Sequence, residues 1–271
     1  MPCYATLPNA SIDACPIPIF DDNYVWLIRH ATSADGPLDH AVVVDPGDAK
    51  PVLKFLEKEQ LTLSAVLITH KCYDHVMGIG ELIAHHPAPV YGPSVDAIKA
   101  VSHPLDDNDI IEINASLKFK AMLVPGHTRG HLAFYTPGHV FVGDVLFAGG
   151  CGRIKQGGTA EQMLYSLQKL SLLPQDTKIY CAHEYTLANL AFARTVEPSN
   201  LAISERIDVV SALRDKKQPS LPSILSEELA TNPFLRCNKP EIAQTVSQQA
   251  DISVTTEIDV FSALRNWKDQ F

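Results

Sequence analysis

Four side chains able to hold a metal ion crowd into six residues: His70, Cys72, Asp74 and His75, within SAVLITHKCYDHVMGIGELI over Ser64 to Ile83. They begin where an apolar run, Ala65 to Thr69, stops. In extended chain, residues two apart point the same way, so His70, Cys72 and Asp74 are expected to converge on one point while His75 faces a neighbouring one. Imidazole, sulfur and carboxylate presented at a rigid strand end are donors that suit zinc or a related cation. The plainer alternative is a polar loop whose histidines only hydrogen-bond.

A divalent cation takes about four to six donors, so a real site needs more ligands than one loop offers. Three later residues qualify. PGHTRGH exposes His127 on a Pro-Gly turn after a strand-like run, VFVGDVLF ends a strand at Asp144, and IYCAHEY does the same for His183. A carboxylate at Asp144 has two oxygens and could bridge two cations. His131 reads as a histidine that orients a ligand rather than one that binds. His30, His40, His85, His86, His103 and His139 lie in polar or loop contexts and are expected at the surface. Asp45, before Pro-Gly, reads more as a turn-fixing carboxylate than as a ligand, and Glu81 as a solvated helix residue.

These residues need elements to hold them. IPIFDDNYVWLIRH reads as a strand broken by a polar turn at Asp21 to Asn23, and AVVVDPG as a buried strand entering a turn. AKPVLKFLEKE gives a helix with Val52, Phe55 and Leu56 on one face, and Ile79, Leu82 and Ile83 mark a helix after the ligand-rich loop. PVYGP, LKFKAMLVPGH, LAFYTPG and HVFVGDVLF follow as short strands. Helices mixed with two runs of strands predict a layered α/β domain with two sheets. A helix is expected over Glu161 to Leu173 and a last strand at TKIYCAHEY. From Leu187 onward the segments read as helices separated by prolines, which places a domain boundary near Glu184 to Thr186: residues 1–185 and residues 186–271. The opening residues, through about Ile12, are expected to form a loose arm.

Composition excludes several functions. A formal charge of −9 opposes nonspecific binding to nucleic acid, which has the same sign. No run approaches the roughly 20 apolar residues of a membrane span, and no basic stretch followed by an apolar one opens the chain. Six cysteines at wide intervals, without a CxxC pair, read as reduced thiols in a cytoplasmic protein. A monomer acting on a small molecule, with neither nucleic acid nor membrane as partner, is the expectation.

THKCYDH, PGHTRGH, GDVLFAGGCGR and CAHEYT, in this order, resemble the metallo-β-lactamase superfamily, and within it the hydroxyacylglutathione hydrolases called glyoxalase II. The resemblance runs from FDDNYVWL to the terminal RNWKDQF. It implies a four-layer αββα sandwich with a dinuclear metal site at one edge of the sheets, completed by a smaller C-terminal helical domain that binds substrate. It makes His70 and His127 ligands of one metal, Asp74, His75 and His183 ligands of the other, and Asp144 the bridge. The family has histidine where this chain has Cys72, which then stands as the third protein ligand of the first metal. It has glycine where this chain has Met77. Two divalent ions are implied, zinc first, with iron or manganese as alternatives. Arg153, Tyr185, Arg265 and Lys268 match the family's contacts to glutathione, whose carboxylates suit cationic partners. Lys155 takes the place of an aromatic.

The activity implied is hydrolysis of a glutathione thioester, such as S-lactoylglutathione, to a 2-hydroxy acid and glutathione. Metal-bound hydroxide is the nucleophile, with Asp74 and Asp144 as the catalytic carboxylates. Two rivals stand beside it: a mononuclear persulfide dioxygenase-like enzyme, and a weakened homologue that binds glutathione conjugates because Cys72 impairs the first site.

Overall fold

The computed structural model describes residues 12–33, 36–155 and 157–271, and the expected N-terminal arm lies outside them except for Ile12. The chain forms two compact units. One runs to Leu123 and resumes over Arg129–Gly143; the other takes Val124–Thr128 and Asp144–Phe271.

The first unit opens with β1 (Asp13–Ile19), β2 (Asn23–His30) and β3 (His40–Val44), then α1 (Ala49–Glu59), β4 (Thr62–Leu67), α2 (Tyr73–Val76), α3 (Ile79–His85), β5 (Val90–Pro93) and β6 (His103–Leu105). The six strands make one sheet in chain order, β1-β2-β3-β4-β5-β6. Pairing is antiparallel from β1 to β3 and parallel from β3 to β6. Val25, Leu27, Val43 and Val66 face α1 and α3, where Val52, Leu56, Ile79 and Leu82 complete a core. The alternate residues Trp26, Ile28, Val42 and Leu67 are buried too. Central strands covered on both faces must be apolar throughout, which is why this region reads as continuous runs and not as alternation. Asp48 caps α1 by accepting from the Lys50 N–H, as a helix start requires. An antiparallel series follows: β7 (Ile110–Glu112), β8 (Lys118–Leu123), β9 (Leu132–Thr136) and β10 (His139–Gly143).

The second unit holds the short pair β11 (Leu146–Phe147) and β12 (Gly150–Cys151), then α4 (Ala160–Ser171), β13 (Lys178–Cys181), α5 (Thr186–Val196) and α6 (Leu201–Asp215). It continues with β14 (Ser223–Ile224), α7 (Leu225–Thr231), a 3-10 turn at Pro233–Leu235, α8 (Pro240–Ala250) and α9 (Glu257–Gln270). Thr159 with Gln162 and Thr256 with Asp259 form reciprocal capping boxes that start α4 and α9. In the interior Phe192 stacks on Phe234, and Phe261 meets Phe234 edge to face.

A buried polar network ties α6 and α7 to the loop after β11. The Glu228 carboxylate, fully buried, accepts from Arg206, from the Gly149 N–H at 2.8 Å and from Asn232 at 3.1 Å. Asn232 also donates to the carbonyls of Phe147 and Gly150. Gly149 adopts φ +68°, a left-handed conformation that favours glycine.

Three sequence readings change. His30 is buried, within hydrogen-bond distance of Ser64 at 3.0 Å and of Asn114 at 3.0 Å, and is not a surface residue. The strand ends at Leu67, before His70 and Cys72, and Tyr73–Val76 is helical, so a helical turn and not strand alternation places Asp74 and His75. The segments forming α7 and β14 are additional to those expected.

Removing one partner of a buried ion pair leaves the other charge uncompensated, at a cost of about 3–5 kcal/mol. Glu228→Ala is expected to lower the free energy of unfolding, read from urea denaturation, by that amount, whereas Glu228→Gln, which keeps the acceptor for Gly149, loses less. Equal stability of Glu228→Ala and the parent would show that the network is not a structural tie.

Candidate metal centre

In the first unit the donors are organised by Asp45. This residue sits just past β3 at φ +54° and is buried. Its carboxylate accepts the Thr69 N–H at 2.8 Å, the Thr69 hydroxyl at 2.7 Å and His75 Nδ1–H at 3.0 Å. Because the Thr69 hydroxyl proton points to Asp45, its oxygen accepts from His70 Nδ1 at 3.0 Å. Both imidazoles are thus held with the proton on Nδ1, which leaves the Nε2 lone pair to a cation. His131, fully buried, stacks on His70 with ring centroids 4.5 Å apart, an orienting role. Asn23 donates to Asp74 Oδ2 at 3.1 Å.

Close backbone approach fixes this loop. A Cβ on Gly47 would lie 1.8 Å from the Asp74 carbonyl oxygen, and one on Gly78 would lie 2.5 Å from the Pro46 carbonyl oxygen. Only glycine allows the DPGD turn and α2 to touch in this way. Cys72 is buried at the start of α2, and Met77 at its end is exposed.

In the second unit Asp144 stands between two histidines. Its Oδ2 lies 3.5 Å from His127 Nε2 and its Oδ1 lies 3.4 Å from His183 Nε2. In the first unit His75 Nε2 and Asp74 Oδ2 are likewise 3.5 Å apart. These separations exceed the roughly 2.7–3.2 Å of an N–H···O bond. They match the roughly 3.4 Å kept by two donors that each sit about 2.1 Å from one tetrahedral cation. The buried donors therefore fit divalent metal. His127 Nδ1–H donates to the Arg153 carbonyl at 2.7 Å, so that Nε2 is the nitrogen turned to Asp144. Tyr185 stacks on His183 at 4.7 Å, with the planes 8° apart.

His127 and Asp144 also line a cleft of about 630 Å³ in this unit, whose walls include Tyr185, Arg153, Lys155 and Lys268. The charge of these walls is mostly positive. Arg153 is exposed and 3.5 Å from Asp269. Lys268 lies over the rings of Phe192 and Phe271, and burial, aided by Arg265 and Arg153, holds its pKa below the usual lysine value. Arg265 lines the cleft too but is buried, with its guanidinium donating to Asp269 and to the Cys151 carbonyl. Burial pushes the Cys151 thiol up to about 11, so it stays neutral, and its sulfur accepts from Arg265 at 3.6 Å.

Asp45, Thr69 and Asn23 were not identifiable as site residues from the sequence beyond the turn-fixing role expected for Asp45. Their partners lie 24 to 51 residues away, and no local pattern encodes such pairing.

Residues 19–183 match the model of the metallo-beta-lactamase superfamily. The crystal structure of the B3 metallo-beta-lactamase BLEG-1 superposes with a TM-score of 0.60 at 22% identity, over 83% of this chain and 99% of that one. TTHA1623, solved in a di-iron-bound form, does so with a TM-score of 0.58 at 25% identity, over 82% of this chain and all of that one. Residues 184–271 match the model described as the hydroxyacylglutathione hydrolase C-terminus. A hydroxyacylglutathione hydrolase from Alkalilimnicola ehrlichii is 47% identical over 94% of this chain and 97% of its own. The chain belongs to the hydroxyacylglutathione hydrolases of the metallo-β-lactamase superfamily. Its fold is accordingly the αββα sandwich with a smaller C-terminal helical domain.

Losing a residue that orients a metal ligand typically costs about 10- to 100-fold in affinity. Asp45→Ala is expected to lose metal on dialysis at concentrations where the parent keeps it, with its far-ultraviolet circular dichroism unchanged. Undiminished metal content would remove Asp45 from the centre.

Proposed function

We propose that this protein hydrolyses glutathione thioesters of the S-lactoylglutathione type, giving a 2-hydroxy acid and free glutathione. Asp144 carries the reading: a single buried carboxylate offers each of its oxygens to a different imidazole at a cation-compatible spacing. We assign His70, Cys72 and His127 to one metal, Asp74, His75 and His183 to a second, and Asp144 to both. Zinc is the favoured ion. The di-iron-bound form of TTHA1623 supports a count of two.

When bound, the ions supply a Lewis acid and a water acidic enough to attack at neutral pH. The protein does the rest. Asp74, steadied by Asn23, is placed to accept a hydrogen bond from the attacking water and so to orient it. Asp45, through His75 and Thr69, holds the donors still. Arg153 and Lys268 meet the carboxylates of the glutathione moiety, Tyr185 adds a phenolic donor, and Arg265 contributes its charge while fixing the Cys151 segment. The departing group is a thiolate, which needs little protonation, so no separate general acid is required. On this reading residues 1–185 carry the chemistry together with the contacts from Arg153 and Tyr185, and residues 186–271 add those from Arg265 and Lys268, in keeping with family models that meet at residues 183 and 184. Among the described cysteines, Cys15, Cys72, Cys151, Cys181 and Cys237 form no disulfide, which supports a reducing, cytoplasmic setting. No described helix is long and apolar enough to cross a membrane.

The test is thiol release from S-lactoylglutathione by the purified protein. Chelation is expected to abolish it and added zinc to restore it. Asp144→Asn is expected to lower kcat by about 100-fold or more, in the range seen when a single electrostatic partner of the transition state is lost. A protein that holds two metals and leaves the thioester intact would overturn the assignment.

A further inference from the structure

One donor at this centre differs in kind from the others. Cys72 is the single sulfur beside nitrogen and oxygen ligands, and it is firmly held. Its sulfur lies within 4.8 Å of a ring nitrogen of His70. Lys71, the intervening residue, turns its side chain the other way, to Asp96 at 3.6 Å. The Cys72 carbonyl accepts the His75 N–H at 3.0 Å, which locks the start of α2. Asp45 fixes the residues on both flanks, through Thr69 and through His75. The sulfur is therefore preorganised next to an imidazole whose Nδ1 is engaged by Thr69.

The other described cysteines are placed differently. Cys15 donates to the Leu27 carbonyl, Cys181 to the His183 carbonyl and Cys237 to the Pro233 and Phe234 carbonyls, while Cys151 lies against Arg265. The first three use their sulfur as an S–H donor in the interior. Cys72 has imidazoles about it.

We infer that Cys72 sets the metal selectivity of the centre, binding as a thiolate with His70 and favouring zinc over manganese and ferrous iron. The inference rests on the metal-binding reading above and adds a choice of metal to it. Thiolate is a soft donor that suits zinc, whereas carboxylate and water suit manganese. Binding exchanges the thiol proton, released to solvent, for the metal–sulfur bond. The bond is about 2.3 Å long against about 2.0–2.1 Å for imidazole, and the sulfur brings a negative charge that lowers the Lewis acidity of its metal.

The test uses the full chain stripped of metal. Loaded with cobalt(II), the parent is expected to show an intense thiolate-to-cobalt charge-transfer band in the near ultraviolet, and Cys72→Ser and Cys72→His to lack it while still binding cobalt. Offered zinc, manganese and ferrous ions together without oxygen, the parent is expected to take up zinc preferentially. Cys72→Ser is expected to lose at least the roughly 10- to 100-fold in zinc affinity that removing a mere support residue costs, and Cys72→His to shift its uptake towards iron and manganese. Metal bound by the parent without the charge-transfer band, or the same metal ratio in parent and Cys72→His, would overturn the inference and leave the metal centre standing. Failure of the parent to bind any metal would overturn both.

Discussion

Everything at this centre follows from one constraint, that buried carboxylates and imidazoles must be compensated. Asp144 is nearly covered, and each of its oxygens faces an imidazole nitrogen at a distance beyond an ordinary hydrogen bond. Ions or tight hydrogen bonds must supply what water cannot. The hydrogen bonds on the far side of the rings settle which. His127 gives Nδ1–H to a backbone carbonyl, His75 gives it to Asp45, and His70 gives it to Thr69. With one nitrogen of each ring so engaged, the other is left to a positive charge.

Rigidity is secured mainly by backbone. Gly47 and Gly78 let the turn after β3 touch α2, and in the second unit a Cβ on Gly152 would lie 1.8 Å from the Asp144 carbonyl oxygen. Main chain lying against main chain has no rotamers to sample, so the donors inherit the stiffness of the strands before them. The cationic cleft is built otherwise. Arg153 and Lys268 are long side chains, one exposed and one half-buried over aromatic rings, and both can adjust to a flexible peptide-like ligand.

The proposed ligands stand out in the sequence because each is punctuated. His70, His127, Asp144 and His183 follow apolar runs, and turn residues or other polar donors lie beside them. The strands β1 to β5 and the helices α1, α4, α5, α6, α8 and α9 were legible from period and from Pro and Gly, while β6 was not. The local path of Asp74 and His75 was not, since a four-residue helix is decided by tertiary contact with the turn at Gly47. Glu228 was invisible for a related reason. A glutamate in SEELATN looks solvated, and its burial depends on Arg206, 22 residues earlier, and on Gly149, 79 residues earlier. Arg265 is a ligand-binding charge only by the family resemblance, and the fold reveals that Asp269 and the Cys151 carbonyl already engage it.

The Glu228 network bears on the order in which the protein becomes competent as it leaves the ribosome. The segment after Asp144 emerges midway through synthesis, yet the groups that clasp the Gly149 N–H and the carbonyls of Phe147 and Gly150 arrive only with residues 228 and 232. Until then that segment has no brace from α7. Domains fold progressively from the N-terminus during synthesis, and here the last third of the chain acts as a latch on a loop that was translated long before it. A nascent chain halted short of Glu228 therefore lacks the groups that brace the Phe147–Gly150 segment.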